Sequence, residues 1–153
     1  MGNTQGWEMF FGFAGISLSM GLSNLGAAYG MAKSGAGVAG MGQRKPNLII
    51  KSLLPVVMAS ILGIYGLIVS VVILKKIDLT NYNLIQGYKH FGAGLSCGLS
   101  SLAAGYAIGL VGDAGVRAYA QQEKLFIGLV LVLIFAEAIG LFGMIVAIMV
   151  VSK

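Results

Sequence analysis

One acidic residue, Glu137, stands in the middle of a long apolar stretch, within Leu-Ile-Phe-Ala-Glu-Ala-Ile-Gly-Leu-Phe-Gly. It lies about twelve residues from either end of a predicted helix, hence ~18 Å from each end. A charge at the centre of a bilayer costs at least ~2.5–3.5 kcal/mol. No Lys or Arg falls at mid-depth in the other apolar stretches, so burial favours the neutral, protonated carboxyl. We therefore predict that Glu137 takes up and releases a proton; the alternative is a purely structural hydrogen-bond donor.

Two side chains of the second apolar stretch are candidates to support this carboxyl. Ser60 occupies the position in the first half of the chain that matches Glu137, and Tyr65 lies near mid-depth. A sodium ion is held by several oxygen ligands, whereas Ile61 and Leu62 occupy the region where such ligands would be needed. The sequence thus predicts a proton as the cargo, with no metal and no cofactor.

Two other features resemble functional motifs but have simpler interpretations. His90 has no Cys, Asp or second His at metal-ligand spacing, so we interpret it as a structural residue. Gly35–Gly40 matches GxGxxG, but no strand precedes it and no acidic residue follows at the expected distance. We interpret this segment as a flexible helix end or loop. The four other acidic residues are interpreted as solvated charges at span edges or in connections: Glu8, Asp78, Asp113 and Glu123.

The composition identifies the class of protein that must position Glu137. Of 153 residues, 58% are hydrophobic and only 10% are charged, and the mean hydropathy is +0.90. A soluble domain carries about a quarter charged residues, so an ordinary cytosolic enzyme is excluded. The net charge of +5 does not indicate nucleic-acid binding, because the basic residues flank apolar runs as they do in membrane proteins. We predict a polytopic protein of the lipid bilayer.

Four apolar stretches, at about 9–32, 49–74, 87–112 and 125–151, each exceed the ~20 residues that cross a membrane as a helix. The predicted fold is an all-α membrane protein with four transmembrane helices and short connections, 33–47, 75–86 and 113–124. The side of the first and third connections carries six basic residues, counting Lys51 near the start of the second stretch, and the other side carries four. This weak bias favours the first side as cytoplasmic.

The two halves of the chain repeat each other. Residues 21–29 and 98–106 are identical at six of nine positions, at an offset of 77. We predict two copies of one helical hairpin in the same orientation, at 1–77 and 78–153. The first and third helices are Gly-rich, which allows close backbone approach in lipid, whereas the second and fourth are bulky. This division favours a ring built from several copies of the chain over a compact monomeric bundle. The glycines at GxxxG spacing are Gly26, Gly30, Gly94, Gly98, Gly105 and Gly109.

The motifs together resemble the proteolipid c subunits of eukaryotic vacuolar-type proton-translocating ATPases. The matching stretches include 25–30 (Leu-Gly-Ala-Ala-Tyr-Gly), 111–117 (Val-Gly-Asp-Ala-Gly-Val-Arg) and 134–143 around Phe-Ala-Glu. The resemblance covers about residues 10–150 and places the family's essential carboxylate on Glu137. It implies a homo-oligomeric rotor ring, with the first and third helices inside.

The same resemblance implies the partners and the location. An arginine of the a-type stator subunit would meet each Glu137, central-stalk subunits would contact the ring, and paralogous c-type subunits could share it. ATP hydrolysis would occur on other subunits, so this chain would be a non-catalytic subunit in the membrane of the vacuole or another acidic organelle. The alternative is a small proton-coupled cation or multidrug exporter, although such proteins usually carry their acid in the first span.

Overall fold

The structure, a computed structural model, describes residues 4–153, and it contains four long helices and no strand within that range. We label them α1 (Thr4–Gly42), α2 (Leu54–Lys76), α3 (Leu84–Gln121) and α4 (Phe126–Ser152). Single turns at Pro46–Leu48 and Ile49–Ser52 lead into α2, and another at Glu123–Leu125 leads into α4. Within residues 4–153, each of the four is long and apolar enough to cross a membrane. The predicted all-α, four-span fold is confirmed.

The predicted ends of the Gly-rich helices are wrong. α1 continues to Gly42 and α3 to Gln121, beyond the predicted ends at about 32 and 112, so Gly35–Gly40 is helical rather than a loop. Hydropathy marks only the part of a helix that suits hydrocarbon. The extensions are held by packing instead: a Cβ at Gly37 would lie 2.8 Å from the Cα of Asp113, so the two backbones are still in contact there.

The four helices form a bundle around the α1–α3 pair. α1 and α3 make the most extensive contact, α2 packs chiefly on α1, and α4 packs chiefly on α3. α2 also touches α3 and α4. The two bulky helices therefore lie beside one another on the outside of the Gly-rich pair.

Glycine allows α1 and α3 to approach at backbone distance. A Cβ added at Gly105 would lie 2.7 Å from the Cα of Gly26 and closer still to its carbonyl group. Gly94 meets the backbone of Gly15 in the same way. All six GxxxG glycines named above face the other Gly-rich helix, since a Cβ added at each would lie within 3.2 Å of an atom of that helix. A larger side chain at Gly94 or Gly105 requires the helices to separate, because the atoms it would meet belong to the facing backbone and cannot rotate out of the way.

Buried serines link the helices through carbonyl groups. Ser19 donates to the carbonyl of Gly66 at 3.2 Å, and Ser70 donates to that of Ile16 at 3.1 Å, both between α1 and α2. Ser34 donates to the carbonyl of Ile108 at 3.4 Å, between α1 and α3. In a low-dielectric interior a polar side chain needs such a partner, so these bonds fix the register of α1 against its two neighbours.

The connection between α2 and α3 is ordered by local hydrogen bonds. The backbone N–H and hydroxyl of Thr80 donate to one oxygen of Asp78 at 3.0 and 2.7 Å. These bonds favour the carboxylate and hold the pKa of Asp78 below its usual value. Asn83 and Gln86 then form a capping box at the start of α3, which satisfies backbone donors that the helix leaves free.

Candidate functional site

Glu137 lies in α4 beside the place where that helix meets α2. Its neighbour Ala136 and the next-turn residue Gly140 are buried. A Cβ at Gly140 would lie 2.6 Å from Cδ2 of Leu62 and 3.6 Å from Cδ2 of Tyr65. These two side chains of α2 therefore cover α4 one turn from the carboxyl, and the Gly140 position leaves no room for a larger side chain between them.

The outward face of α4 around Glu137 is apolar and exposed. Phe135 and Phe142 are 71% and 62% exposed, and Ile134 and Ile139 are about half exposed. On the adjoining helix α2, Ile64 is exposed to a similar extent. Such a surface suits lipid or a neighbouring apolar helix, so the carboxyl stands at the border between the bundle and an apolar surround.

Both carboxyl oxygens of Glu137 are buried, and neither has a hydrogen-bond partner within residues 4–153. The phenol of Tyr65 lies near enough to interact with the carboxyl, but the two groups do not adopt hydrogen-bond geometry. The ion pairs found in the described chain all involve Asp113, so no Lys or Arg of this range compensates Glu137. An uncompensated charge in such a place is costly, whereas the neutral acid is tolerated.

Ser60, the other predicted supporting residue, points elsewhere. Its hydroxyl donates to the carbonyl of Val57 in its own helix at 2.6 Å, and the residue is exposed. The structure thus brings Tyr65 to Glu137 and does not bring Ser60 to it. Serine bonds to a carbonyl one turn back are common in helices because the side chain is short.

His90 is buried at the start of α3, where its Nδ1 is 2.5 Å from the hydroxyl of Tyr82. Burial raises the pKa of Tyr82 to about 12, so this phenol stays neutral at physiological pH. Within the described range, no three His, Cys, Asp or Glu residues lie together as a metal site would require. The contact between Tyr82 and His90 joins the α2–α3 connection to α3.

Asp113 has a role that the sequence did not reveal. The sequence predicts a solvated charge, but the side chain is only 17% exposed and lies between two cations. Lys33 of α1 is 3.4 Å away, and Nε of Arg117 donates to it at 2.7 Å. The spacing of four residues between Asp113 and Arg117 was the available signal, because such residues lie on one face of a helix.

Fold and site together define a multi-pass membrane protein of two helical hairpins, in which the second hairpin carries a membrane-embedded carboxyl. Comparison with known proteins gives the same division. The profile of the ATP synthase C-subunit family matches twice, at residues 14–73 and 91–150. The two matches begin 77 positions apart, the offset of the internal repeat.

Curated relatives are similar over nearly the whole chain. The 16 kDa proteolipid (c-type subunit) of the V-type proton ATPase of Nephrops norvegicus is 57% identical over 148 residues, which cover 96% of this chain and 93% of that protein. The c'-type subunit of the V-type proton ATPase of Saccharomyces cerevisiae is 58% identical over 139 residues, covering 90% and 85%. The corresponding 16 kDa proteolipid of Ascaris suum is 54% identical over 140 residues, covering 90% and 87%. The chain belongs to the ATP synthase C-subunit family.

Proposed function

We propose that this chain is a proton-conducting rotor subunit, the proteolipid c type, of the membrane sector of a vacuolar-type ATPase. One observation carries the proposal: Glu137 is a carboxyl in the middle of α4 whose buried oxygens have no partner within the described chain. The relatives that match over most of the chain are named as proteolipid subunits of V-type proton ATPases. They favour a rotor over the exporter considered from the sequence.

Glu137 carries one proton at a time. In its neutral form the carboxyl passes through the apolar part of the bilayer, where a charged one would be costly. It loses the proton only where a polar path and a positive charge stabilise the carboxylate, which we assign to an arginine of the a-type stator subunit. A proton from the opposite side then restores the neutral form. The position of Glu137 beside the exposed Phe135 and Ile139 supports this role, because a rotation of its side chain would bring the buried carboxyl to the surface that meets another protein of the pump.

Several copies of the chain form a ring in this proposal, with α1 and α3 inside and α2 and α4 outside. The close backbone packing of α1 and α3 and the exposed apolar side chains on α2 and α4 support that arrangement. ATP hydrolysis takes place on other subunits, and central-stalk subunits transmit rotation to the ring. The pump acidifies the vacuole or a similar organelle. Each half of the chain, 1–77 and 78–153, contributes one helical hairpin to the ring.

Tyr65 is the supporting side chain that we assign to the carboxyl. Its phenol lies beside Glu137 without a hydrogen bond between them, so a small rotation of either side chain would join them. Such a bond would hold the carboxyl while it faces lipid. We expect Tyr65→Phe to preserve assembly and to lower the pumping rate, and full pumping by this variant would exclude Tyr65 from the cycle.

The decisive experiment is ATP-driven acidification of vesicles that contain the assembled pump with Glu137→Gln. Gln preserves the shape of the side chain but cannot exchange a proton, so we expect acidification to be abolished while the complex remains intact. Glu123→Gln is the matched control, because Glu123 is an exposed acid of the turn before α4 and this variant should pump normally.

Pumping by Glu137→Gln at the wild-type rate would overturn the proposal. The same vesicles test the cargo, since acidification should persist without sodium; a strict requirement for sodium would exclude the proton as the transported ion. Copy number provides a further check: a detergent-extracted complex should have the native mass of a large ring, whereas a dimer would favour the exporter.

A further inference from the structure

A basic cleft lies between the C-terminal ends of α1 and α3. It has a volume of about 550 Å³ and is lined by Arg44, Lys45 and Arg117 together with the amides of Gln43 and Gln121. None of the acidic residues within 4–153 lines it. The volume is within the range of ligand-binding pockets, and guanidinium, ammonium and amide N–H groups are the donors that bind phosphate.

The positive charge exceeds what the fold itself requires. The two helix C-termini contribute roughly half a negative charge each, and Asp113 contributes one more against Lys33 and Arg117. Arg44 and Lys45 therefore have no acidic side chain to neutralise them among the ion pairs of residues 4–153. Helix-dipole compensation accounts for only part of the four cations, so an excess of positive charge is left for a ligand.

The depth of the cleft points to the membrane surface. A Cβ at Gly140 would lie 3.5 Å from Cβ of Ala104, so Ala104 lies within a turn of the level of Glu137. Arg117 follows Ala104 by 13 residues of continuous helix, which places it about 15–20 Å above Glu137. With Glu137 at the bilayer centre, the cleft lies at the height of the lipid headgroups, just beyond the ~15 Å half-thickness of the hydrocarbon.

We propose that this cleft binds the phosphate group of an anionic lipid headgroup, with Arg44, Lys45 and Arg117 as the binding residues. It opens on the side that the charge bias assigns to the cytoplasm, where anionic lipids are enriched and where basic pockets between helices bind phosphorylated headgroups. The site is independent of proton carriage, because Glu137 is not among the residues that line the cleft.

The test uses the purified protein in nanodiscs of phosphatidylcholine that contain a phosphatidylinositol monophosphate, with retained lipid counted by native mass spectrometry. Each Lys or Arg near an anionic surface contributes a factor of about five in affinity. The double variant Arg44→Gln, Lys45→Gln should therefore bind the phosphoinositide about 25-fold more weakly than the wild type. The matched control is Lys75→Gln, Lys76→Gln, which removes two exposed lysines at the C-terminal end of α2, on the opposite side of the bundle from the cleft. This control should bind the lipid normally.

The outcomes are distinct. The charge-preserving double variant Arg44→Lys, Lys45→Arg should retain the lipid, which separates lost charge from misfolding. Equal retention by the wild type and the Gln variant, or equal loss in the control, would overturn the proposal. Displacement of the lipid by inorganic phosphate at equal concentration would assign the site to free phosphate and exclude the lipid source. If the Gln variant retains lipid in nanodiscs and the assembled pump carrying the same variant loses other subunits on purification, the cleft is a protein interface and the lipid proposal fails.

Discussion

The contact between α1 and α3 predicts a large difference between two identical substitutions in one helix. Gly105 and Gly92 both lie within α3. A Cβ at Gly105 would lie 2.7 Å from the Cα of Gly26 and closer to its carbonyl group, whereas a Cβ at Gly92 would meet nothing within 4 Å. Gly105→Ala therefore forces the two helices apart, and Gly92→Ala does not.

The magnitudes follow from the two environments. Replacing Gly by Ala inside a helix contributes up to about 1 kcal/mol at both positions. At Gly105 this gain is opposed by overpacking, which costs about 1–3 kcal/mol. Backbone atoms are less able to yield than side chains, so we expect the upper part of that range. Gly92→Ala should thus be neutral or stabilising, and Gly105→Ala should be less stable than Gly92→Ala by about 2–3 kcal/mol.

The assay is thermal unfolding of each purified variant in the same detergent, with the loss of native size followed by size-exclusion chromatography. Because both substitutions are chemically the same, general effects of Ala on helix formation or detergent binding cancel in the comparison. Equal midpoints for the two variants would refute the close backbone contact between α1 and α3. A midpoint for Gly92→Ala well below the wild type would show that this face of α3 is covered.

Two further contacts give testable effects on stability. Tyr82→Phe removes the partner of the buried His90 ring nitrogen and should destabilise the protein by about 1–3 kcal/mol, measured by thermal unfolding, with Tyr88→Phe as the exposed control. The folded-state pKa of Tyr82 is raised to about 12. Its contribution to stability should therefore be complete below about pH 10 and be lost as the pH rises through 12. A melting temperature that stays constant between these two pH values would contradict the burial of Tyr82. Asp113→Asn leaves Lys33 and Arg117 without their shared anion but should cost only about 0.5–1 kcal/mol, since both cations are half exposed; a loss of the whole fold would disagree with that exposure.

The helices and the isolated acid could be predicted from the sequence because both depend on local properties. Four apolar stretches and one carboxyl in the fourth follow from residue type and position alone. The GxxxG pattern likewise found Gly26 and Gly105, which meet across the α1–α3 contact. Gly15 contacts Gly94 as closely, but it belongs to no GxxxG pair and is not predicted by that pattern. Its contact depends on the register between two helices, which the spacing within one helix does not reveal.

The remaining features require three-dimensional packing to be seen. The continuation of α1 and α3 beyond the hydrocarbon depends on the packing of Gly37 and the bridging of Asp113, neither of which changes local hydropathy. The bond between Tyr82 and His90 joins a connection to the helix that follows it. The repeat predicts that Ser60 accompanies Glu137, but an equivalent position in the other hairpin does not imply proximity in the folded chain.

In the proposed ring, the first hairpin carries Ser60 where the second carries Glu137. This difference sets how much free energy from ATP hydrolysis is available to move each proton. In the proposed ring, one carboxyl serves four helices, so the arc between successive proton sites is twice that of a ring in which every hairpin carries an acid. A given angle of rotation then transfers half as many protons for the same ATP consumption. Each proton can be moved against twice the electrochemical difference before the motor stalls, which is the property that a strongly acidifying pump needs.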